Sequence, residues 1–374
     1  MRPRIFPILI LGAVFAALIS APAVDAAGRN RIGSVYTLTN EAGGNAVAAF
    51  ERAADGSLTP AGVYPTGGLG NGGGLGSQGA VVLSENGRLL LAVDAGSDEI
   101  SSFLVAHDGS IAFADRIASG GDMPISVTVH GGLIYALNAG GAGNISGFTI
   151  SPHGSLAPLP GSTRLLSGGA AGPAQVQFNP HGTVLVVTEK ATDRISTYTV
   201  GTDGLASGPN VQASAGATPF GFDFDKRGRL FVSEAFGGAA DASATSSYRL
   251  SPSGTISVVS PSVGTTETAA CWVVVTDNGR FAYVTNTGSG TVSGYAIGRH
   301  GRLRLLDPSG VTAVTGPGSS PIDASLSHNS RFLFVLNAGT HSIAGFHING
   351  GDGSLTPAGE IFGLPPSSVG LASS

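Results

Sequence analysis

Seven times along this chain an apolar run of strand length ends on a single polar residue. The runs are VYTLTN, LLLAVD, LIYALN, VLVVTE, LFVSE, FAYVTN and FLFVLN, and the polar residues are Asn40, Asp94, Asn138, Glu189, Glu234, Asn286 and Asn337. Their spacings are 54, 44, 51, 45, 52 and 51 residues. Self-similarity at this period marks a repeat architecture whose units stack to share a core. Ala269–Ile297 is the clearest copy: an apolar run, a turn at Asp277-Asn278-Gly279, a second run ending at Asn286, and a third run, Thr291–Ile297. Short apolar runs separated by Asn, Asp and Gly read as strands joined by tight turns.

The other units fill in the pattern. A first strand, often opened by proline (Pro124, Pro173, Pro219, Pro321), precedes each turn. An alternating third strand follows the polar residue, as in Ile100–Val105 and Ile195–Val200. A second Gly turn such as Asp108-Gly109 or Asp203-Gly204 then leads to a short fourth strand. Four strands per unit is the blade of a β-propeller. The N-terminal unit starts near Gly33 and lacks a first strand, whereas Pro366–Ala372 resembles the first strand Pro321–Ser327. The expected fold is therefore all-β: a seven-bladed propeller of four-stranded antiparallel blades, closed by the C-terminal strand completing the N-terminal blade. No 3.6-residue period is present, so almost no helix is expected.

Residues 1–26 read as a secretory leader: Arg2 and Arg4, an uncharged apolar run Ile5–Ser20, and small residues before Ala27. The remainder, 27–374, reads as one domain, secreted or periplasmic and monomeric. Lysine outside the leader occurs only at Lys190 and Lys226, the formal charge is −5, and no Lys/Arg run forms a basic cluster. A nucleic-acid partner is excluded on that ground, and no later stretch is long enough to cross a membrane. A single cysteine, Cys271, leaves stability to burial and strand pairing.

In a propeller the end of the second strand and the start of the first meet at one face. That face is expected to carry the seven polar residues, the strand openings Gln78, Ser126, Gln175, Asp323 and Ser368, and the Gly-rich loops. Asn and Asp there also serve as ordinary turn residues. Glu is not a favoured turn residue, so Glu189 and Glu234, at equivalent positions of adjacent blades, are the catalytic candidates, as an acid/base pair or cation ligands. Gln175, Asp94, Asn138, Asn286, Asn337, Asp323, Glu267 and Trp272 are the binding candidates. No His pair has metal-ligand spacing and no cofactor is expected, although the polar rim leaves room for a divalent cation in the channel. The Gly68–Gly73 stretch fits a dinucleotide fingerprint but opens no helix.

GPAQVQFNPHGTVLVVTE (Gly172–Glu189), DNGRFAYVTNTGSGTVSGYAI (Asp277–Ile297) and NSRFLFVLNAGTHSIAGFHI (Asn329–Ile348) resemble the seven-bladed propeller lactonase family, which includes 6-phosphogluconolactonase and the carboxymuconate lactonising enzymes. The resemblance implies a carboxylic ester hydrolase with a Pro-Arg-His opening on a middle blade, a Glu ending the next strand and an Arg in the following blade. Here the opening is Pro173-Ala174-Gln175, Glu189 matches the Glu, and Ser233-Glu234-Ala235 stands where the Arg is expected. Two functions follow as expectations: hydrolysis of a neutral lactone or related ester, or non-catalytic recognition of a carbohydrate, peptide or protein on the long-loop face.

Overall fold

The computed structural model describes residues 31–374; the expected leader lies outside the described residues. Seven antiparallel sheets follow one another along the chain. Blade one holds Arg31–Leu38, Ala46–Ala53 and Leu58–Pro65, and its fourth member is Val369–Ser373 from the other end of the chain. The pairing is antiparallel, with Val35 opposite Ser373, Tyr36 opposite Ala372 and Leu38 opposite Val369. The seam is reinforced by Thr37 Oγ1 donating to Gly370 O at 2.7 Å and Ser367 Oγ donating to Thr39 O at 2.7 Å. The expected closure is therefore present.

Each remaining blade runs inner strand to outer strand in sequence order. The inner strands are Val81–Leu83, Pro124–His130, Pro173–Phe178, Pro219–Phe224, Ala270–Val275 and Pro321–Leu326. Four open on the expected prolines, where the missing N–H removes no ladder bond. The polar residue closes the second strand in blades two to seven; Asn40 lies two residues past Leu38. Helical structure among the described residues amounts to two single 3₁₀ turns, Phe236–Gly238 and Arg299–Gly301.

Burial explains the strand patterns. Second strands lie between neighbouring blades and are covered on both faces, so Leu89–Asp94, Val184–Glu189, Phe281–Asn286 and Phe332–Asn337 are buried throughout. Such strands read as unbroken apolar runs rather than alternating ones. Outer strands have one wet face, and Leu58–Pro65 and Leu355–Phe362 show it in their mostly open positions. The outer edges are irregular. Register shifts interrupt five of them, and in blades three and six the outer strand is split into Leu156–Pro158 with Arg164–Leu165 and Leu303–Leu305 with Ala313–Val314. Bulged and broken edges resist pairing with a second chain.

Blades are stitched together at the turns before their outer strands. Tyr36 Oη donates to Gly109 O of blade two at 2.7 Å, and Ser102 Oγ to Gly154 O of blade three at 2.6 Å. Tyr135 Oη reaches Gly204 O at 2.8 Å, Thr197 Oγ1 reaches Gly254 O at 2.6 Å, Ser247 Oγ reaches Gly301 O at 2.7 Å and Tyr283 Oη reaches Gly353 O at 2.8 Å. At the junction of blades seven and one, Gly56 packs on the Phe332 ring instead.

Candidate functional site

The face bearing the seven polar residues is closed at its centre by the chain itself. The Gly-rich loop 67–79 turns inward across the channel. Ser77 Oγ donates to Ile125 O at 2.7 Å, Gln78 N to Ala174 O at 3.1 Å, and Trp272 Nε1 to Ser77 O at 2.9 Å. The glycines permit close approach: a Cβ on Gly70 would stand 2.1 Å from the Asn40 backbone. Lys190 donates to Gly76 O and lies over the Phe220 ring, 4.5 Å from its centroid. Burial lowers the ammonium to about 8. Trp272, a binding candidate from the sequence, is buried and packs on Phe220 beneath this loop, with ring centroids 5.1 Å apart.

Gln78 has a particular task. Gln175 spans to the next inner strand, its Oε1 accepting from Phe222 N at 2.7 Å and its Nε2 donating to Phe222 O at 2.9 Å. One blade on, the equivalent residue is Gly221, with no side chain to offer. Gln78 supplies the missing amide from across the ring, accepting from Val273 N at 3.2 Å and donating to Val273 O at 2.8 Å. A Cβ on Gly221 would lie 2.2 Å from Gln78 Oε1 and 2.7 Å from Cys271 O. Gly221→Ala should therefore cost about 2 kcal/mol by overpacking. Its cost by thermal denaturation should shrink in a Gln78→Ala background; an unchanged cost would mean that the two positions are not coupled.

The two glutamates are not brought to a common cleft. Glu189 is buried and accepts from Ser167 N at 3.1 Å, Ser196 Oγ at 2.8 Å, Thr192 Oγ1 at 3.3 Å and Ser167 Oγ. Glu234 is likewise buried, accepting from Gly216 N at 2.8 Å, Ser262 Oγ at 2.6 Å and Ser246 Oγ. Burial raises the Glu234 carboxyl, and its three donors oppose that rise. These carboxylates tie the second and third strands of their own blade to the loop arriving from the preceding blade, which uses up their acceptor capacity. Asp94 does the same with Thr66, Ser101 and Asn45. Asn138, Asn286, Asn337 and Glu267 are also buried, with their side chains bonded to Asn144, Ser293, Ser342 and Thr291 respectively. Glu189→Gln should lower stability by about 2 kcal/mol, because an amide N–H₂ then meets hydroxyl and N–H donors. Chemical denaturation should show this loss with no change in ligand binding.

The open cavity lies toward the opposite face, where the first strands end. It has a volume of about 470 Å³. Of the expected residues Gln78, Gln175 and Asp323 line it, joined by Gln177, Asp223, Thr128 and Ser325 from the inner strands. His130, Glu85, Asp277 and His328 form the rim, with His130 Nδ1 2.8 Å from Glu85 Oε1. Among the described residues no Lys or Arg lines it. Asp223 accepts from Phe224 N at 2.7 Å, Val275 N at 2.8 Å and Gln177 Nε2 at 3.3 Å. Burial pushes its carboxyl up to about 6 against these bonds. Burial likewise raises the Asp323 carboxyl well above the usual carboxylate range. Its Oδ1 accepts from Ala324 N at 2.7 Å, while Oδ2 makes no hydrogen bond of ordinary geometry, the Leu371 N–H being the neighbouring donor. Cys271 is buried and pushed up to about 11, which leaves it a thiol. Among the described residues no group of three or more His, Cys, Asp or Glu is placed to hold a metal ion.

The profile of the family described as Lactonase, 7-bladed beta-propeller matches residues 33–169 and 167–369, almost the whole ring. The chain belongs to this lactonase family. No curated protein matches it in sequence. Among solved structures, a putative 6-phosphogluconolactonase from Bacteroides fragilis is similar with a TM-score of 0.72 at 17% identity, covering 91% of this chain and 98% of its own. A protein from Lactobacillus plantarum gives 0.74 at 18%, covering 92% and 99%. The periplasmic gluconolactonase of Pseudomonas aeruginosa gives 0.69 at 16%, covering 90% and 98%. At these identities the likeness within the lactonase propellers is one of fold.

Asp223 and Gln177 were not among the residues expected from the sequence. Both sit four residues after a strand-opening proline, where the inner strand approaches the far end of the channel. That offset, read across Thr128, Gln177, Asp223 and Ser325, was the available signal. The polar residue ending each second strand was the more conspicuous one, and it belongs to the blade interior.

Proposed function

We propose that this lactonase-family propeller is exported and hydrolyses a neutral, hydroxyl-rich lactone in the central cavity. The observation that carries the reading is a cavity of small-molecule size lined by two carboxyl groups drawn into the ring, by amides and hydroxyls, and by no Lys or Arg among the described residues. Without a cation the cavity does not compensate a phosphate or carboxylate on the ligand, whereas Gln, Ser, Thr and Asp match hydroxyl groups. One structural relative is named a periplasmic gluconolactonase, and a gluconolactone is a ring of this chemistry; that likeness adds fold alone.

Two carboxyl groups held at different proton affinities can share acid and base work. Asp223, at about 6, is ionised at neutral pH and takes a proton from the attacking water. Asp323, raised by burial, takes the part of the acid and donates its proton to the lactone oxygen that departs as the C–O bond breaks. The water oxygen bonds to the carbonyl carbon, and the ring oxygen leaves as a hydroxyl. The products are a free hydroxy acid and the original protonation states once a proton passes between the carboxyls through solvent.

The alternative is carbohydrate binding without turnover. It is favoured by the backbone N–H groups that already occupy each oxygen of Asp223. A panel of neutral sugar lactones, followed by proton release and compared with the matching reducing sugars in titration calorimetry, separates the two. Lactone-dependent proton release above the spontaneous rate supports hydrolysis. Saturable sugar binding with no added release supports the binding reading. Neither signal would overturn both.

A further inference from the structure

Five of the chain's 19 Lys and Arg residues meet in one place, three from the short stretch 226–229 and two from distant parts of the sequence. A cleft of about 240 Å³ lies between the first turns of blades five and six. Lys226, Arg227 and Arg229 come from the blade-five turn, Arg280 from the blade-six turn, and Arg299 from the next turn of blade six. Only Asp225 and Asp277 oppose them among the lining residues.

The charges are unevenly used. Arg229 pairs with buried Asp225, and Lys226 with Asp277 at 3.0 Å. Arg280 is pinned by two neutral acceptors, Gly350 O at 2.7 Å and Gly351 O at 2.9 Å, and lies over the Phe281 ring. Its charge is oriented and not neutralised. Arg227 and Arg299 are exposed, and among the described residues neither guanidinium has a carboxylate or hydrogen-bond partner. Three uncompensated guanidinium groups therefore line one concavity of a chain whose formal charge is −5. Like charges gathered this way repel one another, and guanidinium forks match the paired oxygens of an oxyanion.

We infer that this cleft is an oxyanion-binding site, taking a ligand that carries a carboxylate or a phosphate group. It stands apart from the central-cavity reading. Asp277 borders both hollows, but none of these cations lines the cavity, so either site can fail without the other.

The test titrates inorganic phosphate and galacturonate separately into the whole protein at low ionic strength, using calorimetry. The expected result is saturable binding of at least one probe. In R227A/R299A that binding should weaken about tenfold, the scale of losing charge-assisted hydrogen bonds. R164A/R194A removes the same charge from blades three and four and should bind as the wild type does. Phosphate alone, or galacturonate alone, assigns the oxyanion source. Heats equal to those of sodium chloride at matched ionic strength would overturn the site. So would undiminished affinity in R227A/R299A, or an equal loss in R164A/R194A. The two cleft substitutions remove exposed side chains without partners, and a thermal melt equal to wild type checks that the ring is intact.

Discussion

A chain ending at Pro366 should lose its cooperative melt. The missing segment contains the inner strand of blade one, Val369–Ser373. Val369, Leu371 and Ala372 are buried, and their loss also uncovers Tyr36 and Leu38. Burying a Val or Leu side chain contributes about 1.5–3 kcal/mol each, so the two larger side chains alone account for roughly 3–6 kcal/mol. Ladder bonds to Val35–Leu38 and the Thr37–Gly370 bond add to that. Domains of ordinary stability hold about 5–15 kcal/mol in total. The truncation should therefore leave a chain that melts broadly and self-associates through the exposed edge of Arg31–Leu38. Circular dichroism and size-exclusion chromatography read both effects, and a synthetic 366–374 peptide should restore part of the melt. A truncated chain that melts sharply within a few degrees of the full one would show that the seam is not what holds the ring.

Asp223→Asn should lower kcat/KM for a lactone substrate by about a hundredfold or more, the usual contribution of a positioned general base. The substitution keeps the size of the side chain and removes its proton-accepting charge. The pH dependence has a definite sign. Asp223 must be ionised to act, and its carboxyl sits at about 6. The wild-type rate should therefore rise with pH through roughly that value and level off above it, whereas a base at the ordinary Asp value would already be saturated near pH 5. The amide of the variant cannot titrate, so its residual rate should lack that limb. A variant with unchanged rate and the same limb would remove Asp223 from the reaction and leave the binding reading.

The fold was legible because the signals that specify it are repeated. Apolar runs such as Val184–Val187 and Phe332–Leu336 are unbroken because each lies between two blades, and Pro366–Ala372 copies Pro321–Ser327 because both are inner strands. The site was less legible for two physical reasons. A polar residue at a strand end reads the same whether it faces a channel or bonds serines inside its own blade, as Glu189 and Glu234 do. The side of the channel that is closed depends on non-local contacts: Gln78 occupies the space beside Gly221, and Ser77 is held by Trp272. The basic cleft was missed for a related reason: Lys226, Arg227 and Arg229 alone are a short basic turn, and Arg280 and Arg299 join them only in space.

The stitches between blades have a bearing on ancestry. Three donors are long tyrosines rooted in second strands, three are short Ser or Thr hydroxyls rooted in third strands, and the last junction uses a phenyl ring. Copies that look alike in sequence are thus keyed to particular neighbours. A gene rearrangement that swapped, duplicated or excised one module would set a donor of the wrong reach against its acceptor, so the circular order should be far harder to change than any loop upon it.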